Sequence, residues 1–585
     1  MNTCAGGEAL AMDFKGQGFQ VASNARSSTY RRWAPITAGA LLIAFVLFRL
    51  FPSTTPGISE SRDDLTKHRY SGESVEWEGC GSLKNGRQLE CSTVSVPIDQ
   101  FSRDHSRNET FTIPLVRLRG RHAQQNILLN PGGPGGSGIW FMHRLGEQLS
   151  TIIGEDLHLV AFDPRGVNGS RPLADCYPDD ETRHSRGPVR DQRVVQDSAE
   201  VYAWSKNYVQ ACAETMGEYG KYLNTPQTAA DMNSIIDALG QDDMIYWGFS
   251  YGTILGQTYA GLFPERSRRI IIDGVNNVFD WYGGLLDTED LVDSEAVFDG
   301  FLHECIKAQK DCPLARFGSS KKVLRERILS LASTLRHDPL NVYIDNKRYG
   351  LLDDRALLYN AIPTALRKPV MWPELAENLA KLLDGNATDA FLAYGLERPW
   401  PPAGDAQQFV MLNDGASGAQ HWPQDRKTML DWLVPFINRN IFAPTELGIY
   451  YAKQQWVVPK THNYVPSDSI QTAHPLLILT MTYDPVCPLV SARSAQRAFL
   501  GSQIVEVEGY GHCSTAMPSI CLAHHVREFL KNGTVPATHT RCHVDGSYFP
   551  RKNHSAEAMA TELLADVEDR KIYLAQVELA RNWLE

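Results

Sequence analysis

Short apolar runs, each four to six residues long, recur through the middle and later parts of the chain. Each run ends in a turn that contains glycine, proline or aspartate, which is typical of buried strands. Between several runs the apolar residues recur at helical spacing, as in residues 228–239. Alternation of strands and helices predicts the α/β class, with a mostly parallel sheet flanked by helices. The predicted strands are residues 125–129, 157–162, 244–247, 269–272, 475–480 and 503–507.

A longer apolar run lies near the N-terminus, at residues 33–51, and its only charged residue is Arg49. As a helix, its uninterrupted part spans roughly 24 to 28 Å, slightly less than a bilayer core of about 30 Å. Pro52 and Pro56 crowd the region where a signal peptidase would cut. We therefore expect a transmembrane signal anchor at 33–51 and a cytoplasmic tail at 1–32. Secretion after signal cleavage is the alternative.

Composition and charge narrow the class of protein. The 585-residue chain is 43% hydrophobic and 21% charged, with a formal net charge of -11. These values fit a globular body, and the acidic balance provides no basic surface for nucleic acid. The eleven cysteines include no C-x-x-C pair, which favours disulfides over a zinc site. We expect no metal ion and no cofactor.

Cysteines and sequons indicate the compartment of the body. Ten of the eleven cysteines lie beyond the apolar run, and disulfides persist in oxidising compartments. Five N-x-S/T sequons lie there as well, although chance alone supplies about this number in such a length. We therefore expect a single-pass type II membrane protein with a lumenal or extracellular body. The candidate glycosylation sites are Asn108, Asn168, Asn386, Asn532 and Asn553.

The central motif is the sequence Gly-Phe-Ser-Tyr-Gly at residues 248–252, which directly follows the predicted strand 244–247. A helix-compatible stretch follows the motif, and this setting is typical of a nucleophile elbow, a strained turn that exposes the serine hydroxyl. Glycines two residues before and after the serine allow the strand and the helix to approach closely. We therefore predict that Ser250 is a catalytic nucleophile.

A serine becomes nucleophilic beside a base that is itself oriented by an acid. The strand 475–480 leads into Asp484, and the strand 503–507 leads into His512. Serine, aspartate and histidine thus follow one another in the order used by α/β-hydrolases. We predict His512 as the general base and Asp484 as the acid that orients it, with Asp273 as the rival acid.

A glycine-rich segment, Asn-Pro-Gly-Gly-Pro-Gly-Gly-Ser-Gly at residues 130–138, follows the strand 125–129. Oxyanion stabilisation requires backbone N–H groups that approach the substrate without an intervening side chain. We expect Gly132 or Gly133, together with the N–H of Tyr251, to form the oxyanion hole. The segment lacks the spacing and the terminal Lys-Ser/Thr of a Walker loop, which argues against nucleotide binding.

Together these motifs resemble those of the S33 serine peptidases, especially the tripeptidyl and prolyl aminopeptidase-like branch. Residues 162–170, 259–264 and 272–274 also carry the resemblance, and residues 509–542 resemble the C-terminal domain of tripeptidyl aminopeptidases. The resemblance implies an α/β-hydrolase fold with a large, mainly helical cap, an acyl-enzyme mechanism and preference for peptides with a free N-terminus. The domains expected are a core at 52–275 and 474–545, a cap or lid insertion at 276–473 and a C-terminal helical extension at 546–585.

The chain departs from the family's usual motifs at two cysteines. Cys487 follows Asp484 by three residues, and Cys513 directly follows His512, where the family often carries other small residues. We predict a disulfide that ties the acid loop to the histidine loop. The remaining cysteines of the body invite further pairs, although the sequence leaves the connectivity open. These pairs are Cys80 with Cys91, Cys176 with Cys212, Cys305 with Cys312, and Cys521 with Cys542.

The expected function is a serine hydrolase that uses a Ser-His-Asp triad to release residues or short peptides from free N-termini. An esterase or amidase acting on a small metabolite would use the same triad, because the cap determines the substrate. A non-catalytic binding protein of the same fold is a third alternative. Such proteins usually lose a triad residue, whereas this chain retains all three.

Overall fold

The structure, a computed structural model, describes residues 72–102, 109–186, 195–396, 404–443, 448–551 and 553–583. The expected cytoplasmic tail, the expected anchor at 33–51 and Asn108 lie outside these residues. Among the helices of the described ranges, none is both long enough and apolar enough to cross a bilayer.

Twelve strands lie in the described ranges, and ten of them form one sheet. They are β1 (Glu78–Ser82), β2 (Gln88–Pro97), β3 (Thr110–Leu118), β4 (Gln125–Asn130), β5 (Leu157–Phe162), β6 (Met244–Phe249), β7 (Ser267–Asp273), β8 (Leu340–Asp345), β9 (Arg348–Leu352), β10 (Leu477–Tyr483), β11 (Gln503–Tyr510) and β12 (Thr540–His543). The order across the sheet is β1-β2-β3-β5-β4-β6-β7-β10-β11-β12.

The sheet is antiparallel at one edge and parallel in the rest. Strands β1, β2, β3 and β5 pair antiparallel, whereas every pair from β5 to β12 in the sheet order is parallel. Parallel strands need long crossover connections, and the helices of those connections cover both faces. All six predicted strands are present, and the expected α/β-hydrolase fold is confirmed.

Eighteen α-helices accompany the strands in the described ranges. They are α1 (Gly138–Ile153), α2 (Asp180–Arg186), α3 (Ser198–Gly220), α4 (Thr225–Ala238), α5 (Tyr251–Leu262), α6 (Val278–Gly283), α7 (Ser294–Ala308), α8 (Lys321–His337), α9 (Ile362–Arg367), α10 (Trp372–Leu383), α11 (Thr388–Ala390), α12 (Ala406–Asp414), α13 (Arg426–Ile437), α14 (Gly448–Gln455), α15 (Leu489–Ala498), α16 (Ile520–Asn532), α17 (Ala556–Leu563) and α18 (Val567–Asn582). Helices α4, α5 and α15 contribute to the apolar core on one face of the sheet, and α1, α16 and α18 to the core on the other.

In the described ranges, the inserted segment, the chain between β7 and β10, contains helices α6 to α14 and the hairpin β8–β9. It supplies most of a separate apolar cluster, in which Phe301 and Trp372 are fully buried. The segment also reaches the loops of the sheet, because the backbone N–H of His512 donates to the carbonyl of Arg367 at 2.9 Å. The loop that carries the predicted base is therefore held partly by the inserted segment.

Arg165 braces the loop after β5 through a buried ion pair. Its Nε donates to one carboxylate oxygen of Asp231 at 2.7 Å and its Nη2 to the other at 2.6 Å. A third nitrogen donates to the carbonyls of Ile98 and Tyr222. A buried guanidinium with this many acceptors fixes the loop against α4, which is a structural role.

Four of the predicted disulfides are formed, and they are Cys80–Cys91, Cys176–Cys212, Cys305–Cys312 and Cys521–Cys542. Each lies within a local unit of the fold. Cys80 and Cys91 join the antiparallel neighbours β1 and β2, and Cys521 and Cys542 join α16 to β12. Cys176 and Cys212 join the loop after β5 to α3, and Cys305 and Cys312 close a short loop in the inserted segment.

Candidate active site

Ser250 occupies the sharp turn between β6 and α5. Its backbone angles are φ 54° and ψ -124°, a strained conformation for a residue with a side chain. A Cβ added to Gly248 would lie 2.3 Å from the carbonyl oxygen of Gly252, so no larger residue fits there. The N–H of Ser250 donates to the carbonyl of Asp273 at 2.9 Å, which ties the turn to the end of β7. These features are those of a nucleophile elbow.

His512 and Asp484 meet at the carboxyl ends of β10 and β11. The imidazole Nδ1 lies 2.9 and 3.0 Å from the two carboxylate oxygens of Asp484, and the carboxylate is completely buried. The N–H groups of Val486, Cys487 and Cys513 each donate to the same carboxylate at 2.9 Å. These donors fix the carboxylate, and the carboxylate in turn fixes the imidazole with Nε2 left for proton transfer.

Asp273, the rival acid, has a different set of partners. Its carboxylate accepts hydrogen bonds from the N–H and the hydroxyl of Ser514, at 2.7 and 2.6 Å. Burial raises the pKa of Asp273 to about 6. Asp273 thus holds the loop that follows His512, whereas Asp484 holds the imidazole itself.

The glycine-rich loop packs directly against the elbow. A Cβ on Gly132 would lie 2.3 Å from the carbonyl oxygen of Phe249 and 3.1 Å from the N atom of Tyr251. Gly132 has φ +94°, which also favours glycine. The N–H of Gly132 donates to Asn130 Oδ1 at 2.9 Å, so we expect Gly133 to be the oxyanion donor of the pair.

The predicted disulfide between Cys487 and Cys513 is wrong, because both residues are buried thiols. The Cys487 thiol donates to Asn276 Oδ1 at 2.5 Å, and the Cys513 thiol donates to the carbonyl of Asp273 at 3.4 Å. The two sulfur atoms therefore point to different acceptors. Burial raises the pKa of Cys487 well above its usual range, and the negative charge of Asp484 adds to this effect. Cys487 is thus a neutral thiol beside the triad.

An acidic loop, residues 287–293, lies between α6 and α7 and escaped the sequence-based prediction. Burial raises the pKa of Asp293 to about 6, and the nearby charge of Asp484 contributes. The charge of Asp290 likewise acts on the Cys487 thiol, and Glu289 accepts a hydrogen bond from Ser491 at 2.6 Å. The spacing of these carboxylates was visible in the sequence, but their position beside the triad depends on the folding of the inserted segment.

The sequons of the described ranges differ in their accessibility. Asn168 is partly buried, and its amide donates to Asp163 at 2.8 Å and to Ser137 at 3.2 Å. An amide committed in this way is a poor glycan acceptor. Asn386, Asn532 and Asn553 are exposed and remain predicted sites.

Comparison with known proteins extends these observations. Residues 125–298 match the alpha/beta hydrolase fold family, and residues 449–542 match the TAP-like protein family. The chain is 27% identical over 498 residues to serine protease Hip1 of Mycobacterium tuberculosis, a match covering 80% of this chain and 91% of that protein. It is 26% identical over 508 residues to tripeptidyl aminopeptidase of Streptomyces lividans, covering 81% and 87% respectively.

A third relative has another activity in its name. The chain is 26% identical over 545 residues to carboxylesterase B of Mycobacterium tuberculosis, covering 87% of this chain and 99% of that protein. The expected resemblance to tripeptidyl aminopeptidases is confirmed. The protein is a serine hydrolase with the α/β-hydrolase fold.

Proposed function

We propose that this serine hydrolase is an aminopeptidase that releases residues or short peptides from free N-termini, with Ser250, His512 and Asp484 as its triad. The observation that carries the proposal is the acidic loop near the triad, and we assign its negative charge to binding of the substrate's α-ammonium group. The similarity to a tripeptidyl aminopeptidase and to a serine protease supports the same activity.

In this proposal, acylation uses the three side chains of the triad. Nε2 of His512 removes the proton of Ser250 Oγ as this oxygen attacks the substrate carbonyl, while Asp484 stabilises the imidazolium through Nδ1–H. The N–H groups of Tyr251 and Gly133 stabilise the resulting oxyanion. Tyr251 is suited to this role because it is the first residue of α5, where backbone N–H groups have no partner within the helix.

Loss of the amine ends acylation, and hydrolysis of the acyl-enzyme then completes the cycle. His512 gives its proton to the leaving amine, and the C–N bond breaks to leave an ester between Ser250 and the N-terminal part of the peptide. Water then attacks this ester, with His512 again taking a proton, and the acid product leaves with the serine hydroxyl restored. The bond changes use only the substrate, water and the three side chains.

Recognition of the free amine is assigned to the acidic loop. The raised pKa of Asp293, about 6, is still below 7, so its carboxylate is mostly ionised at neutral pH. A peptide α-amino group, with a pKa of about 7.7 to 8.0, is then largely a cation. Attraction between these charges in a partly buried site favours free N-termini over blocked ones. We include the expected cap, residues 276–473, which lies within the inserted segment, in the proposal as the part that limits how much peptide enters.

The location of the enzyme belongs to the same proposal. The expected anchor at residues 33–51 would tether the core at 52–275 and 474–545, and the extension at 546–585, to a membrane. The four disulfides support a body that folds in a lumenal or extracellular compartment.

An esterase that acts on a small neutral acyl substrate is the second candidate, and the similarity to carboxylesterase B favours it. The acidic loop distinguishes the two functions, because a neutral ester gains nothing from nearby carboxylates. Purified full-length protein in detergent is therefore assayed with three substrates: a tripeptidyl aminomethylcoumarin, its N-acetyl form and p-nitrophenyl acetate.

We expect the free-amine peptide to have a kcat/KM at least roughly a hundredfold above that of the acetylated peptide. Ser250→Ala is the control for contaminating peptidases. Equal turnover of the two peptides would remove the aminopeptidase assignment, and ester turnover without peptide cleavage would establish the esterase.

A further inference from the structure

A buried chain of hydrogen bonds begins at Tyr251, directly after the nucleophile. The phenol oxygen of Tyr251 lies 2.5 Å from Thr225 Oγ1, and Thr225 Oγ1 lies 2.5 Å from Asp414 Oδ2. All three residues are at most 5% exposed. Tyr251 begins α5, Thr225 begins α4 and Asp414 ends α12, so the chain joins two core helices to the inserted segment.

The direction of these bonds follows from counting protons. A carboxylate only accepts, so Thr225 donates its single hydroxyl proton to Asp414. The remaining bond must then be donated by the Tyr251 hydroxyl to Thr225 Oγ1. Asp414 is the final acceptor, and the orientation of both hydroxyl groups depends on it.

Asp414 itself is held from several sides. The N–H of Thr225 donates to Oδ1 at 2.8 Å, and the indole N–H of Trp281 donates to Oδ2 at 2.8 Å. The Trp281 ring packs in turn against the ring of Tyr251, with centroids 5.5 Å apart. Tyr251 is thus fixed both at its hydroxyl group and along its ring by groups that share one carboxylate.

The titratable neighbours of Asp414 do not prevent its carboxylate from accepting the hydrogen bond of Thr225. His462 Nε2 lies 3.9 Å from Oδ1, but burial lowers the pKa of His462 to about 4, so the ring is neutral near pH 7. Lys460 donates to the backbone carbonyl of Asp414 at 2.9 Å. Burial raises the pKa of Asp414 to about 6, which is still below 7, so the carboxyl is largely ionised at neutral pH.

Helix α12, which ends at Asp414, also contacts the glycine-rich loop on the other side of the predicted oxyanion hole. Near the start of α12, the backbone of Gln407 packs on Gly135, where an added Cβ would lie 3.4 Å from the Gln407 N atom. Gly135 belongs to the glycine-rich loop that supplies Gly133. One nine-residue helix of the inserted segment therefore touches the glycine-rich loop at its start and reaches Tyr251 through Asp414 at its end.

We propose that Asp414 and Thr225 are positioning residues that hold Tyr251, and with it the oxyanion-stabilising N–H, in register with Ser250. The inference rests on the proposed function only for the oxyanion role of Tyr251, which peptide and ester hydrolysis share. An oxyanion donor acts mainly in the transition state, so a small displacement lowers kcat more than it changes KM.

The test compares variants that remove one hydroxyl group at a time. Tyr251→Phe deletes the phenol oxygen, Thr225→Val deletes the middle hydroxyl with little change of shape, and Thr225→Ser restores a hydroxyl. Tyr282→Phe is the matched control, because Tyr282 is equally buried and its hydroxyl also pairs with a threonine of α5, Thr258, at 3.0 Å. Each full-length variant is assayed with p-nitrophenyl acetate and the free-amine peptide, and kcat is expressed per active site titrated with a fluorophosphonate.

We expect Tyr251→Phe and Thr225→Val each to lower kcat by about tenfold, with KM changed by less than about twofold. Thr225→Ser should recover most of the lost kcat, and Tyr282→Phe should keep kcat within about twofold of the parent. The double variant that combines Tyr251→Phe with Thr225→Val should lose no more kcat than either single variant. Unchanged kcat per titrated site, or an equal loss in Tyr282→Phe, would overturn the proposal. If Thr225→Val does not fold, Tyr251→Phe against Tyr282→Phe decides. Turnover of the ester without the peptide would refute the aminopeptidase while leaving this comparison intact.

Discussion

Four carboxylates near Ser250 belong to the same residue type but have different partners. Asp484 accepts from the imidazole, Asp273 from Ser514 and Asp414 from Thr225 and Trp281, while Asp293 lies in the acidic loop. Ser250 and His512 were predictable because each sits in a local motif after a predicted strand. Asp293 and Asp414 were not, since their roles depend on contacts between segments far apart in the chain.

The first residue-scale prediction separates Asp484 from Asp273. We expect Asp484→Asn to lower kcat by roughly 10³- to 10⁴-fold, because the amide favours the wrong imidazole tautomer. Asp273→Asn should lower kcat by less than about tenfold, since it disturbs only the support of the loop. Both are measured with p-nitrophenyl acetate. A larger loss in Asp273→Asn would reverse the assignment.

The second residue-scale prediction concerns pH. Asp293 is charged above its pKa of about 6 and neutral below it. As pH falls from 7 to 5, we expect kcat/KM for the free-amine peptide to fall relative to that for p-nitrophenyl acetate. Any change with pH in the activity of the shared triad affects both substrates and cancels in the ratio.

The matched variant for this pH experiment is Asp293→Asn. It should lower the ratio of the two kcat/KM values by roughly tenfold at pH 7 and make the ratio nearly independent of pH between 5 and 7. If the ratio of the two kcat/KM values keeps the parent's pH dependence in Asp293→Asn, a group other than Asp293 binds the substrate's amine.

At the scale of elements, the strands were the most predictable part of the fold. Strands β4, β5 and β6 are buried along nearly their whole length, and such strands read as continuous apolar runs. The expected C-terminal helical extension contains two helices, α17 and α18. The break occurs where Asp566 accepts hydrogen bonds from the N–H groups of Glu568 and Asp569 and thereby begins a new helix.

Helix α18 supports the nucleophile elbow through the residue that follows it. Trp583 packs edge-on against Phe249, with centroids 4.8 Å apart, and against Phe141 of α1 at 5.6 Å. Its carbonyl accepts a hydrogen bond from Lys368 of the inserted segment at 2.9 Å. The extension is therefore packed into the same core as the strand that carries Ser250.

We expect Trp583→Ala to lower the free energy of unfolding by about 3 kcal/mol, because it leaves a cavity beside Phe249. Trp432, which is 44% exposed, provides the control, and Trp432→Ala should cost less than about 1 kcal/mol. Urea denaturation followed by fluorescence measures both. Equal stability of the two variants would show that the extension packs only loosely on the core.

At the scale of the whole molecule, the sequence predicted which cysteines pair locally but not the state of the two near the triad. Proximity in sequence favoured the four disulfides that form. Cys487 and Cys513 also lie near one another in the fold, yet side-chain direction decides whether sulfur atoms can bond, and direction is not readable from spacing.

Disulfides should contribute to global stability according to the length of chain they close. Cys176–Cys212 spans 36 residues, and its replacement by two serines should cost roughly 3 to 4 kcal/mol of unfolding free energy. Cys305–Cys312 spans 7 residues, and the same replacement there should cost about 1.5 kcal/mol less. Urea denaturation of the two double variants checks the order. A larger cost for the shorter loop would mean that local packing, not chain entropy, dominates.

The most direct test of the account is to trap the acyl-enzyme. The full-length protein is mixed with a free-amine tripeptidyl p-nitrophenyl ester, quenched in acid within milliseconds and digested for mass spectrometry, with Ser250→Ala treated in parallel. The account predicts a mass increase equal to the tripeptidyl acyl group on the fragment that contains Ser250, and no such adduct in the variant. An adduct on another residue, or turnover of the ester by Ser250→Ala at the parent's rate, would contradict it.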